Sequence, residues 1–200
     1  MLSNEFILQD RLQKIRQIVT EYGEEKFNVS FSGGKDSTVL SALVDMALPD
    51  NQIPRVFADT GIELMMIRDF VERKAEADDR VVMLKPSVPI KPMLEKEGYP
   101  FKSKVFARMV DRYQRIGRCR SVVVYLGEHP DKKWSAYNTC PYKLRYLFDE
   151  RYAPDLKISA NCCDRLKKDP IKRWQTETGR SISIIGVRHG EGGAGVMRNA

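Results

Sequence analysis

The stretch Ser32-Gly33-Gly34-Lys35-Asp36-Ser37 sets two glycines, an amine, a carboxylate and two hydroxyls between apolar residues on either side. Glycines let a backbone turn tightly and bring its amides close to a ligand. A lysine adds a compact positive charge. The hydroxyls of Ser32, Ser37 and Thr38 are donors for ligand oxygens, so the composition suits a phosphate chain. The spacing is neither G-x-x-x-x-G-K-[ST] nor G-x-G-x-x-G. The competing reading is a plain turn capped by Asp36 or Ser37, since both residue types cap helices well. Asp59-Thr60-Gly61 puts a second carboxylate beside a glycine, where it would face a nucleoside or a metal, or else cap the segment that follows. Cys162 and Cys163 are adjacent, with Arg165, Lys167 and Lys168 close behind. Nearby cations favour thiolates, against the alternative of two buried thiols packed as small apolar groups. Arg188 offers a planar fork of donors for a phosphate or sulfate, or is a surface arginine in a Gly-rich loop. His129 and His189 show no spacing for a zinc site or a catalytic triad and are assigned ordinary polar roles.

These residues need elements to hold them. Glu5 to Tyr22 repeats its apolar residues with a helical period, and Gly23 stops it, giving an N-terminal helix within 1–24. "KFNVSF" reads as a strand and "DSTVLSALVDMAL" as a helix closed by Pro49. "IPRVFAD" is a second strand, "IELMMIRDFVERKAEAD" a second helix and "RVVMLKP" a third strand. This alternation predicts an α/β fold, a doubly wound and mainly parallel sheet with helices on both faces. In such sheets ligands bind beyond the carboxyl ends of the strands, which is where the phosphate loop, Asp59 and the segment after "SISIIGVR" would meet. Residues 86–120 begin with a Pro-rich stretch and read as a mobile excursion around a short helix. "VFARMVDRYQRIG" is helical in pattern, "SVVVYLG" is assigned as a strand, and "PYKLRYLFDERYAP" and "CCDRLKKDPIKRWQTETG" are helical apart from the proline of the latter.

With 200 residues, the chain has the length of a single domain able to bury a core. Lys and Arg number 34 against 27 Asp and Glu, giving a net charge of +7. That balance is compatible with a polyanionic small molecule or with nucleic acid. The four cysteines, in a chain read as cytoplasmic, are expected as thiols or metal ligands rather than disulfides. No apolar run approaches the roughly 20 residues a membrane helix needs, so no membrane partner is expected.

The S-G-G-K-D-S loop after a strand resembles the pyrophosphate loop of the ATP pyrophosphatase, or adenine nucleotide alpha hydrolase, superfamily. "VFADTGIE" at 56–63 is similar to the D-T-G element of its phosphoadenylyl-sulfate reductase branch. "NCCDRLKKDP" at 161–170 resembles that branch's C-C-x-x-x-K-x-x-P segment, and "IIGVRHGE" at 184–191 its late G-x-R-x-x-E element. The resemblance spans about residues 25–193 and implies a Rossmann-like nucleotide-binding domain. It implies nucleotide contacts at Ser32, Gly33, Gly34, Lys35, Asp36, Ser37, Thr38, Asp59, Thr60, Gly61 and Gly186, and catalytic roles for Lys35, Asp36 and Arg188, with Glu191 orienting Arg188. Lys102, Lys104 and Lys167 would lie on the substrate side. ATP or an adenylyl sulfate-type nucleotide with Mg²⁺ is the implied cofactor set. A [4Fe–4S] cluster on Cys162 and Cys163, with Cys140 as a weaker candidate, has an incomplete ligand set, because no later C-x-x-C is present: either the chain is a fragment lacking a C-terminal segment, or the cluster is incomplete, or Cys119 and Cys140 substitute. The implied reactions are sulfonucleotide reduction, or cleavage of ATP with adenylation of an acceptor for sulfur transfer or nucleic-acid modification. A non-catalytic nucleotide- or nucleic-acid-binding regulator is the alternative from another class. A sulfur-carrier or thioredoxin-like partner and a homo-oligomer complete the expectations.

Overall fold

In the computed structural model, residues 4–130, 139–151 and 156–187 are described. The chain divides into two compact units, Met1–Pro86 with Asp169–Ala200, and Ser87–Lys168.

The first unit contains helix α1 (Asn4–Tyr22), strand β1 (Phe27–Ser30), helix α2 (Lys35–Ala47), strand β2 (Arg55–Ala58), helix α3 (Met65–Ala77) and strand β3 (Val81–Leu84). Helix α7 (Asp169–Thr178) and strand β4 (Ile182–Ile184) complete it. The strands form one parallel sheet in the order β3-β2-β1-β4. The strand order reverses direction at β1, so the topological switch point lies between β1 and β4. Alternation along β1 sorts the two faces. Val29 and Phe27 pack with Val19, Val44 and Ile53 on the side of α1 and α2. Phe31 and Phe57 pack with Val71 of α3. Asn28 points the other way and accepts from Gln175 of α7 at 3.1 Å. The proline of the late helical stretch, Pro170, is the buried second residue of α7.

Away from the switch point, an ionic network ties α2 to the strands. Arg55 of β2 is 1% exposed. Its guanidinium reaches Asp45 at 2.6 Å and Ser41 at 3.1 Å, and Arg80 meets the same Asp45 oxygen at 2.8 Å. Burial lowers the Arg55 pKa, opposed by the Asp45 charge.

The second unit holds α4 (Ile90–Glu97), α5 (Lys104–Ile116), α6 (Arg120–Leu126), a 3₁₀ helix (Tyr142–Phe148) and a π-helical turn (Asp164–Lys168). Its core gathers Phe106, Val110, Tyr125, Leu126 and Phe148, with the Phe106 and Phe148 rings edge to face at 5.9 Å. The short helix expected within the 86–120 stretch is α4, and the helical pattern of "VFARMVDRYQRIG" is α5.

The segment "SVVVYLG", expected as a strand, is helix α6. Its β-branched residues favour strands only weakly, whereas Val122, Tyr125 and Leu126 follow the i, i+3, i+4 spacing of one helix face and are all buried. Gly127, left-handed at φ 76, ends the helix. Among the described residues of "PYKLRYLFDERYAP", helix covers Tyr142–Phe148, with the tighter 3₁₀ winding. Among the described residues, no helix is long and apolar enough to cross a membrane.

Candidate functional site

The loop between β1 and α2 has a geometry that its two glycines make affordable. Gly33 has φ 72, and a Cβ there would stand 2.8 Å from methyl groups of both Ile67 and Val71 on α3. Backbone conformation and the close approach of α3 thus both require glycine. Gly34 differs. It is the N-cap of α2 in extended conformation, φ −82 and ψ 166, and a Cβ would meet only Ser32 Oγ at 3.5 Å. The first glycine anchors the loop, and the second keeps an open surface over the helix end.

Ser37 closes the loop from inside. It is 7% exposed, and its Oγ accepts from the Ser32 amide at 3.2 Å and donates to the Gly34 carbonyl at 2.9 Å. Thr38 Oγ1 donates to the same carbonyl at 3.0 Å. The hydroxyl protons of Ser37 and Thr38 are therefore committed to the loop, while Ser32, Lys35 and Asp36 are exposed. No side chain caps α2, so Asp36 does not act as the cap that a plain turn would supply. The amides of the first turn have no intrahelical acceptor, and the positive end of the helix dipole faces the open side of the loop.

Gly186 follows β4 and abuts the start of α2. A Cβ there would lie 3.4 Å from the Asp36 carbonyl oxygen. Parallel pairing of β4 with β1 brings these residues together although they are 150 positions apart in sequence.

At the end of the neighbouring strand β2, Asp59 is 4% exposed. One carboxylate oxygen accepts from the Gly61 amide at 3.2 Å, and the other lies 3.6 Å from Arg68 of α3. Helix α3 starts at Met65 with Leu64 as N-cap and no side-chain cap bond, so Asp59 does not cap it; it folds the turn leading away from β2. The buried Thr60 is clasped by Glu63, its amide at 3.0 Å and its hydroxyl at 2.6 Å. Gly61 is left-handed at φ 79 with nothing within 4 Å of a Cβ. Beyond it Ile62, Leu64, Met65 and Met66 are 61–82% exposed, an apolar rim; Met65 and Met66 open α3 as the sequence predicts, while Ile62 and Leu64, expected in the same helix, precede it. Glu63 and Arg68 were missed. The T-x-x-E spacing of Thr60 and Glu63, that of a capping box, is the signal for the first.

The other candidates lie elsewhere. Lys102 and Lys104 flank Ser103, which caps α5 by accepting from the Phe106 amide at 3.2 Å. Lys167 is exposed in the π-helical turn, just after the half-buried Cys162 and Cys163. Cys140 is buried in the core of the second unit. Burial pushes its thiol up to about 11, against the pull of Arg145 and Lys102. Among the described residues, no group of three or more His, Cys, Asp or Glu side chains is placed to hold a metal ion. A [4Fe–4S] cluster needs four thiolates, and the described cysteines do not fit it. Mg²⁺ asks less, one or two carboxylates with substrate phosphates completing the shell, and the exposed Asp36 beside Lys35 fits that demand. Arg188, His189 and Glu191 lie outside the described residues.

Comparison with known proteins bears on this geometry. A family model described as the phosphoadenosine phosphosulfate reductase domain matches residues 26–136. The match opens one residue before β1 and takes in the glycine loop and Asp59-Thr60-Gly61, while Cys162, Cys163 and Gly186 fall beyond it. An uncharacterized protein of Methanocaldococcus jannaschii is 34% identical over 104 residues, 47% of this chain and 25% of that protein. A glutamine-hydrolyzing GMP synthase of Thermosipho africanus is 37% identical over 65 residues, 32% of this chain and 12% of that enzyme. The aligned segments thus span a quarter or less of each relative.

Proposed function

From a chain that belongs to the phosphoadenosine phosphosulfate reductase domain family, within the adenine nucleotide alpha hydrolase-like superfamily, we propose an enzyme that binds an adenine nucleotide by its phosphates at residues 32–38 and acts in sulfur chemistry. The observation that carries this reading is the loop itself. Gly33 is locked against α3, Ser37 is turned inward, and an uncapped helix end stands open over Gly34 at the switch point of a parallel sheet. Helix N-termini in that setting favour phosphate through free amides and the dipole.

Lys35 is assigned the charge of the phosphate chain and Asp36 a Mg²⁺ ion. Bound there, Mg²⁺ would offset negative charge building on a departing phosphate or sulfonate. The open Gly61 and the exposed Ile62 and Leu64 are assigned to the nucleoside, whose flat base gains from apolar contact. Asp59 and Glu63 hold that loop in shape, and Arg188 is assigned to the terminal anionic group.

A second reaction is favoured by one feature. The loop retains both glycines, the lysine and the open helix end, which is the equipment for holding a departing pyrophosphate as well as a bound one. In that reading ATP is cleaved between its alpha and beta phosphates and an acceptor is adenylated. Product analysis separates the two. Purified protein is incubated with Mg²⁺ and either labelled ATP with candidate acceptors, or adenylyl sulfate and its 3′-phosphate with a dithiol reductant. Sulfite release supports reduction, and AMP with pyrophosphate supports cleavage. Neither product, together with no nucleotide binding, overturns the proposal.

A further inference from the structure

The 3₁₀ helix Tyr142–Phe148 has three rows of side chains, because residues three apart eclipse one another in this winding. Leu144 and Leu147 form the row turned to the core of the second unit. The other two rows each join an aromatic residue to a cation: Tyr142 with Arg145, before that row ends in the buried Phe148, and Lys143 with Tyr146. Tyr142 is 84% exposed and Tyr146 51%. The Arg145 guanidinium lies 5.8 Å from the Tyr142 ring centre, within cation–π range.

The start of α5 extends this surface. Phe101 contacts Phe106 at 5.7 Å between ring centres, and Phe106 contacts Phe148 at 5.9 Å, so a relay of rings links the segment before α5 to the last residue of the 3₁₀ helix, and the charges of Lys102 and Arg145 both act on the Cys140 thiol. Lys102 sits there with φ 56, the one non-glycine at positive φ among the described residues. The Ser103 amide closes on the Phe101 carbonyl at 2.7 Å, so Lys102 occupies the apex of a γ-turn of the rare positive-φ kind, exposed to solvent.

The charges of this surface are open. The same unit pairs Arg115 with Asp111, Arg118 with Glu128, Arg151 with Asp149 and Arg165 with Glu97. Lys102, Lys143 and Arg145 have no carboxylate partner among the described residues. Two large aromatic rings exposed among unpaired cations disfavour a purely solvated surface, which would carry the charges without the rings. They also disfavour an ordinary protein interface, whose core is depleted of lysine.

We propose that this face of the second unit binds single-stranded nucleic acid, with bases stacking on Tyr142 and Tyr146 and phosphates met by Arg145, Lys143 and Lys102. Stacking on exposed rings and a cationic track for the backbone are the two components of strand binding without sequence preference. The +7 net charge adds long-range attraction to any polyanion. The proposal goes beyond the nucleotide site and does not depend on it.

The test is fluorescence polarization of the full chain with labelled mixed-sequence single strands of RNA and of DNA, over a range of salt. Duplex DNA, polyglutamate and ATP serve as competitors. Strand binding should weaken steeply with salt, and Tyr142→Ala should bind about five- to hundredfold more weakly. Joint Lys143→Gln and Arg145→Gln substitution should flatten the salt slope by roughly 0.7 per lost phosphate contact. These side chains are exposed, so the variants should melt like the parent and bind nucleotide equally well, which separates this result from failure of the nucleotide site. Preference for RNA or for DNA identifies the strand. Absence of strand binding at low salt overturns the proposal. So does polyglutamate competing equally with Tyr142→Ala indifferent, which would indicate a docking face for acidic protein, or competition by ATP at the concentration that fills the nucleotide site.

Discussion

Replacing Gly33 with alanine should cost the fold far more than the same change at Gly34, one residue away. At Gly33 the backbone is left-handed, which charges an alanine about 1–2 kcal/mol. The added Cβ would also stand 2.8 Å from Ile67 Cγ2 and from Val71 Cγ2. Both are branched side chains on α3 with little freedom to withdraw, and Val71 is fully buried. Overpacking of this kind costs about 1–3 kcal/mol. Together these give about 2–5 kcal/mol, or a fall in melting temperature of about 5–15 °C at this chain length. Gly34→Ala meets only Ser32 Oγ at 3.5 Å in a conformation any residue adopts, and should cost no more than about 1 kcal/mol, the preference for glycine over alanine at a helix N-cap. Urea midpoints and thermal melts of the two variants make the comparison. Equal stability of Gly33→Ala and the parent, or equal loss in both variants, refutes the division of labour between the two glycines.

Asp45→Ala takes the carboxylate from the buried Arg55, which keeps Ser41 Oγ and Asn51 Oδ1 as acceptors, and should destabilise by about 1–3 kcal/mol; the urea midpoint reads it, and a change below about 0.5 kcal/mol contradicts it. Glu63→Ala leaves the buried Thr60 amide and hydroxyl without their acceptor and should cost about 1–3 kcal/mol, with Glu63→Gln recovering part; equal loss in both variants would show that the clasp contributes through something other than its hydrogen bonds. The Cys140 thiol, raised to about 11 by burial, should remain protonated in the folded chain after an unfolded thiol ionises at about 8.5. Its contribution is thus intact below about pH 8.5 and declines as pH rises toward 11. Cys140→Ala should flatten the alkaline limb of a stability profile, and native Cys140 should react with thiol reagents much more slowly than Cys162 or Cys163. An unchanged alkaline limb would contradict the assignment.

The parallel sheet was legible because its strands are short apolar runs and its helices α1 to α3 keep a clear period. The glycine loop was legible because Gly, Lys, Asp and Ser cluster where a strand ends. What the sequence could not carry was the environment of each residue. Val122–Tyr125 reads as strand by composition and becomes helix because Phe106 and Phe148 offer a helix face to pack against. Gly33 and Gly34 look alike in the sequence, and only the approach of α3 distinguishes them. The hydroxyls of Ser37 and Thr38 look available to a ligand, yet both are consumed by the Gly34 carbonyl. The division into two units was hidden because the Pro-rich stretch from Pro86 reads equally as an excursion of one domain, and no change of composition marks Lys168.

The most direct measurement is a calorimetric titration of Mg-ATP and of adenylyl sulfate into the parent and into Gly34→Val. Valine tolerates the extended backbone at this position, and its side chain would stand over the main-chain amides proposed to hold the phosphates. At least one nucleotide should bind the parent, and the variant should bind it at least about tenfold more weakly while losing no more than about 1 kcal/mol of stability. Equal binding by both proteins, or none by the parent, would remove the phosphate site from this loop.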